Sequence, residues 1–229
     1  RAAIRLGYRS RCYPPPPRRA RTGTADGRII IDGRGRWRDV CGRWPLALRA
    51  GVLGLGADGL DEDLPLTIGA CDTGLIYDRA ALAGFLADGG PDVIVWAVRG
   101  HAAAAQRPSM YGWIDADGDR VRGVSVKTPL ADPATDPVIV GVFTFRCAGD
   151  FLTAADRLFA RDGRVNGEFY ADSLIEDAVA MGLDCRLFEV DAYLCWGTPE
   201  ELRTFEYWQS CFHKWQWHPY RLEKDVRVP

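Results

Sequence analysis

Pro65-Leu66-Thr67-Ile68-Gly69-Ala70-Cys71-Asp72-Thr73-Gly74-Leu75-Ile76-Tyr77-Asp78 decides how the rest of the chain is read. Leu66, Thr67 and Ile68 are strand formers, Gly69 and Ala70 carry almost no side chain, and Asp72 stands where such a strand runs out. The pattern predicts a short buried strand whose carboxyl end presents an acid. In open α/β sheets that rim is where ligands bind, and a carboxylate flanked by small residues suits a hard divalent cation approached by phosphate. The competing reading is a plain turn, since Asp-Thr-Gly is also ordinary turn chemistry.

Downstream, elements alternate. A helix is expected from Asp78 to Ala87, closed by Gly89-Gly90, and a strand over Asp92–Val98, whose unbroken apolar run fits burial on both faces. Tyr111–Ile114 and Arg120–Lys127 read as a hairpin around Asp115-Ala116-Asp117-Gly118-Asp119. Those aspartates imitate a calcium loop, but the glutamate that would complete it is absent at the required distance. Val138–Phe145 reads as a strand, Asp150–Ala160 and Ser173–Met181 as helices, and Cys185–Val190 as a strand. Thr198-Pro199-Glu200-Glu201 opens a last helix with an N-cap and a proline at its first position. The class is α/β with a mostly parallel sheet and flanking helices.

That end is different in kind. Residues 1–50 hold thirteen arginines, no lysine and three acids, a net +10; the chain as a whole is −2, so the remainder carries −12. Arg11-Cys-Tyr-Pro-Pro-Pro-Pro-Arg-Arg-Ala-Arg21 is a polyproline-type sequence, and apart from Arg28–Asp32 no helical or strand period is visible through Leu48. Three readings stand open for it: a basic arm for nucleic acid, a disordered tail, or out-of-frame translation of a GC-rich gene. The first has few interleaved aromatics and no recognisable binding fold behind it, and no nucleic-acid partner is expected. Residues 1–60 are therefore left unassigned, as disordered or artefactual, and 61–229 are taken as the domain. Gly54-Leu-Gly-Ala-Asp-Gly59 matches a dinucleotide fingerprint, but the acids and proline of Leu60–Pro65 replace the helix start that the fingerprint needs.

Other function classes fall away on composition. With 47% hydrophobic residues over 229 positions the chain can bury a core. No run reaches the length of a membrane span, and the amino terminus lacks a signal peptide's apolar core, so the expectation is a cytoplasmic protein with no membrane partner. Seven scattered cysteines without a Cys-x-x-Cys pair support neither a disulfide framework nor a structural zinc site. His213 and His218 have no third ligand nearby. The aromatics between Phe205 and Tyr220 are expected to pack the last helix and the tail onto the domain.

Six segments, in order, resemble one family. They are Cys71-Asp72; Met110-Tyr111-Gly112-Trp113; Val126-Lys127-Thr128-Pro129; Val140-Gly141-Val142-Phe143; Gly167-Glu168-Phe169-Tyr170-Ala171-Asp172; and Trp196-Gly197-Thr198-Pro199-Glu200-Glu201-Leu202. They resemble motifs of the sugar nucleotidyltransferases, which join a sugar 1-phosphate to a nucleoside triphosphate and release pyrophosphate. The resemblance runs from about Leu64 to Phe212. It implies a Rossmann-like, mostly parallel mixed sheet, incomplete at the amino-terminal end, and a magnesium enzyme of nucleotide-sugar and polysaccharide biosynthesis whose partners are a nucleoside triphosphate and a sugar phosphate, with an oligomer left open. On it, Asp72 holds Mg2+, Lys127 binds the sugar phosphate, Gly112 and Gly141 let backbone approach the sugar, and Tyr111, Glu168 and Asp172 line the substrate.

Three departures from the family pattern qualify it. The glycine-rich loop Leu-Ala-Ala-Gly-x-Gly-x-Arg that wraps the triphosphate is not found. Cys195 stands where a second metal aspartate usually precedes Gly-Thr-Pro, leaving Asp191 as the candidate second ligand. Val126 replaces the glutamate beside Lys127. The expected function is that transfer, impaired in this chain; the alternative is a catalytically inactive, sugar-nucleotide-like binding protein.

Overall fold

A computed structural model describes residues 61–70, 72–215, 221 and 224, and the backbone of Ile29–Asp32 and Trp37–Arg38. Cys71, the Gly54–Gly59 fingerprint, His218 and most of the unassigned amino-terminal segment lie outside the described residues. From that segment come two strands, β1 (Ile29–Asp32) and β2 (Trp37–Arg38). β3 (Leu66–Gly69) ends as the sequence predicts, and β4 (Thr73–Ile76) follows at once. Asp78 then caps α1 (Arg79–Phe85), accepting from the amides of Ala80 and Ala81 at 2.7 and 3.3 Å.

β5 (Val93–Val98) is buried at every position. The short α2 (Ala102–Gln106) leads to the hairpin β6 (Gly112–Asp117) and β7 (Arg120–Val126). Strand β6 runs further into the aspartate run than the sequence suggests, and arginines hold those acids: Arg122 pairs with Asp117, and Arg186 with Asp119 at 2.9 Å. Then come β8 (Val138–Phe145), α3 (Ala148–Ala160), α4 (Leu174–Ala180), β9 (Cys185–Glu189), β10 (Ala192–Cys195) and α5 (Pro199–Lys214).

The main sheet has the order β2-β1-β3-β8-β5-β9-β7-β6, and β6 also touches β8 where Trp113 faces Val138. Its helices lie on both sides, because β5 sends alternate residues each way. Val93, Val95 and Ala97 join Phe151, Leu158 and Ile175 of α3 and α4, while Ile94, Trp96 and Val98 join Leu82 of α1 and Phe188. Thr144, buried beside them, is satisfied by Trp96 Nε1 at 3.1 Å and the Thr67 hydroxyl at 3.0 Å.

The sheet is mixed, but it is not mostly parallel. Among the described pairs only β5 with β9 is parallel; β8 runs antiparallel between β3 and β5, which point the same way. An unbroken apolar run reports burial on two faces and carries no information about the neighbour's direction. Val138–Phe145 reads the same either way.

β4 and β10 form a separate antiparallel ribbon, with Thr73 opposite Cys195 and Ile76 opposite Ala192. The ribbon brings the segment after β3 against the segment before α5.

Candidate active site

The register of the β6–β7 hairpin pairs Gly112 with Val126 and so sets Lys127 just past the strand end. Its amide donates to the Tyr111 carbonyl at 3.0 Å, and its backbone sits in the left-handed region at φ +62°. A lysine held there is constrained by its surroundings. The ammonium donates to the Met110 carbonyl and lies 5.3 Å from the centroid of the Tyr170 ring. Tyr170 in turn donates its hydroxyl to Glu168 Oε2 at 2.8 Å. Asp172, in the short turn that leads into α4, lays its carboxylate on Gly112: a Cβ there would stand 2.3 Å from Asp172 Oδ2 and 3.1 Å from Ile139 Cδ1. Only glycine fits.

A second group forms around Asp72, which is exposed. The amide of Trp196 donates to the Asp72 carbonyl at 2.9 Å. A Cβ on Gly197 would lie 3.3 Å from Asp72 Oδ2 and 3.6 Å from Cys195 Sγ, so carboxylate and thiol flank the same glycine. Gly141, at φ +74°, accepts from the Ala70 amide at 3.0 Å, and a Cβ on it would meet Ala70 Cβ at 3.2 Å and Thr73 Oγ1 at 3.9 Å. Strand β8 joins the two groups. Ile139 touches the Gly112 side and Gly141 the Asp72 side, two residues or roughly 7 Å apart along the strand.

Between them sit three aromatic rings, of which the sequence singled out Tyr111 but not His101 or Tyr193. His101 packs on Tyr111 and Tyr193, with centroids 5.8 and 5.0 Å apart. Burial pushes the Tyr111 phenol up to about 12, raises Tyr193, and lowers His101 against the smaller opposing influence of Glu201. His101 Nε2 is buried without a hydrogen-bond partner among the described residues. Its position just past the carboxyl end of β5 was a legible signal, because that rim is where sheet residues meet ligands.

Of the residues expected at a site, Tyr111, Gly112, Lys127, Glu168 and Asp172 come together, and Asp72 and Gly141 join them through β8. Asp191 does not. It precedes β10 at the end where Ala192 faces Ile76, whereas Asp72 adjoins the Thr73–Cys195 end, on the order of 15 Å along the ladder. Cys195 does not take its place: burial raises the thiol, which donates to Glu201 Oε2 at 3.4 Å. Glu201 is itself committed to the Thr198 amide and hydroxyl, both at 3.0 Å. Among the described residues no group of three or more His, Cys, Asp or Glu side chains is arranged to hold a metal. Among the described residues the donor set at Asp72 is one exposed carboxylate. That fits an ion which takes one or two protein carboxylates and completes its shell from water and substrate phosphates.

No helix among the described residues is long and apolar enough to cross a membrane. No protein-family model matches the sequence, and no curated protein matches it. Solved structures do. One is a nucleoside-diphosphate-sugar pyrophosphorylase from Vibrio cholerae RC9, at 17% identity and TM-score 0.47 over 62% of this chain and 55% of that one. A second is an inositol-1-phosphate CTP transferase from T. maritima, at 10% identity and TM-score 0.41 over 62% and 52%. A third is a CMP:2-keto-3-deoxy-manno-octonic acid synthetase complexed with CTP, at 20% identity and TM-score 0.40 over 58% and 55%. The chain thus spans little more than half the length of each solved structure to which it is similar.

Proposed function

We propose that this chain carries the acceptor side of a nucleotidyltransferase site, the side that receives a sugar 1-phosphate or a similar phosphorylated small molecule for transfer to a nucleoside triphosphate. The observation that supports it is the grouping of Lys127, Gly112, Asp172, Tyr170 and Glu168, with Asp72 in a second group joined to it through β8. Such a transfer sets an acceptor phosphate oxygen against the α-phosphorus while pyrophosphate leaves, and its barrier is chiefly the charge of two polyanions. Lys127 supplies a point charge for the acceptor phosphate. Gly112 leaves room for the Asp172 carboxylate, and the Glu168 and Asp172 carboxylates accept the acceptor's hydroxyls. Asp72 would hold Mg2+, which when bound neutralises and orients phosphate oxygens. Asp191 has no part in this reading.

The row of backbone amides that a glycine-rich loop gives a triphosphate is not found in the sequence, so turnover by this chain is expected to be weak or absent. The alternative, a binding protein that keeps the acceptor pocket without catalysis, shares the same residues. Both readings predict that a panel of sugar 1-phosphates contains a ligand detectable by saturation-transfer NMR, and that Lys127→Ala abolishes its signal. They part on activity. Adding an in-frame strand, glycine-rich loop and helix should bring magnesium-dependent pyrophosphate release that Asp72→Asn removes. Silence of that extended chain would leave the binding protein, and binding unaffected by Lys127→Ala would sink both.

A further inference from the structure

We propose that Tyr170 is a positioning residue that keeps the Lys127 ammonium available to a phosphate by holding the Glu168 carboxylate away from it; the inference rests on the acceptor-site reading above. Lys127 and Glu168 are opposite charges attached to two parts of one side chain. The ammonium faces the Tyr170 ring at 5.3 Å, and the carboxylate accepts the Tyr170 hydroxyl at 2.8 Å. Glu168 is exposed and Lys127 half-buried. A lysine on a flexible four-carbon stem beside an exposed glutamate would otherwise pair with it, and a paired ammonium offers little to an incoming phosphate.

The arrangement prevents that in two ways. An ammonium has three N–H donors; one is taken by the Met110 carbonyl and another side of the group lies against the Tyr170 ring, which leaves a donor for a ligand. The phenol meanwhile fixes one oxygen of Glu168 and leaves the other to accept. Burial, and then the hydrogen bond to Glu168, raise the Tyr170 phenol, so it stays protonated and keeps donating. Asp172, the other nearby carboxylate, is packed against Gly112. Glu168 is the anion that shares Tyr170 with the lysine.

The test is a rescue in the full-length chain, with inorganic phosphate and glucose 1-phosphate as probes. Tyr170→Leu should weaken phosphate binding roughly tenfold, as expected for the loss of one charge-assisted contact. Tyr170→Phe, which keeps the ring but frees the carboxylate, should fall between. Adding Glu168→Gln to Tyr170→Leu should recover most of the affinity for inorganic phosphate, since a neutral amide holds the ammonium far less strongly than a carboxylate, whereas glucose 1-phosphate, whose hydroxyls Glu168 is proposed to accept, should recover less. A merely structural role for Tyr170 predicts no recovery, and that result, or full affinity in Tyr170→Leu, would overturn the assignment. A crystal structure of Tyr170→Leu supplies a readout that needs no ligand. Lys127 and Glu168 should be in salt-bridge contact, and finding Lys127 still on Met110 with Glu168 apart would sink the proposal. Absence of phosphate binding by the unsubstituted chain would count against the acceptor-site reading, while the crystal comparison would still decide the role of Tyr170.

Discussion

Gly112 is the residue where local geometry and proposed chemistry meet most tightly. A methyl group there would stand 2.3 Å from the Asp172 carboxylate, so Gly112→Ala must displace Asp172 from the acceptor group. We expect a stability loss of about 1–3 kcal/mol and loss of sugar-phosphate binding. Gly84→Ala is the matching control. Nothing lies within 4 Å of its Cβ position, and alanine is the better helix former, so thermal stability should rise by about 0.5–1 kcal/mol with binding unchanged. Calorimetry and NMR titration of both variants check this.

His101 gives a pH test. Burial holds the folded imidazole below its ordinary value of 6.5, so as pH falls the unfolded chain takes up a proton that the folded chain resists. Stability present above the ordinary value is lost as pH falls through it toward the lowered folded value. His101→Phe should flatten that part of the profile, read as the difference in Tm between the two proteins across pH. Equal slopes would show that the imidazole titrates alike in both states. Sequence reading reached Gly112, Lys127 and Asp172 because each lies in a segment that resembles a motif. It did not reach His101 or the role proposed for Tyr170, since their surroundings depend on which rings and charges face them across separate elements.

At the scale of elements, local chemistry was largely legible. Thr198-Pro199-Glu200-Glu201 announces the start of α5, and a capping box is found there: Thr198 Oγ1 accepts from the Glu201 amide at 3.2 Å, and Glu201 reaches back to the Thr198 amide at 3.0 Å. Because Glu201 Oε2 also receives the Cys195 thiol, the cap ties the helix start to the Asp72 side of the site. Thr198→Ala should cost about 1 kcal/mol, measured by urea denaturation. Strand direction was not legible, since β8 shows only burial in its sequence. Nor was the destination of Asp191: without the β4–β10 register, nothing in the sequence separates it from Asp72 by the length of a ribbon.

At the scale of the whole molecule, the aromatic carboxyl end through Trp215 departs most from its expected place, while Trp217 and Tyr220 lie outside the described residues. Helix α5 has no buried residue; Phe205 packs on Trp196 at 5.0 Å, but Tyr207, Trp208, Phe212 and Trp215 remain 48–65% exposed. Aromatic density in a sequence implies large apolar area and says nothing of what covers it. Two tryptophans therefore separate sharply. Trp96, fully buried between the aromatic rings of Tyr77 and Phe188, should cost about 3–5 kcal/mol as alanine, whereas Trp208→Ala should stay within about 0.5 kcal/mol. Chemical denaturation of the two variants side by side makes the comparison.

The placement of β8 between β3 and β5 also has a temporal side. Leu66 cannot find its partner Phe145, nor Val93 that same residue, until the chain has been made through Val138–Phe145. The centre of the sheet is thus closed by a late segment, and closing so long a loop is entropically costly before any contact repays it. During synthesis the edges of β3 and β5 wait open, rich in apolar side chains and unpaired amides. The same event sets Gly141 against Ala70 and Thr73, on either side of Asp72 in the chain, so the proposed pocket cannot begin to form in a nascent chain that ends before β8, and it is complete only once Glu168–Asp172 and the segment before α5 have followed.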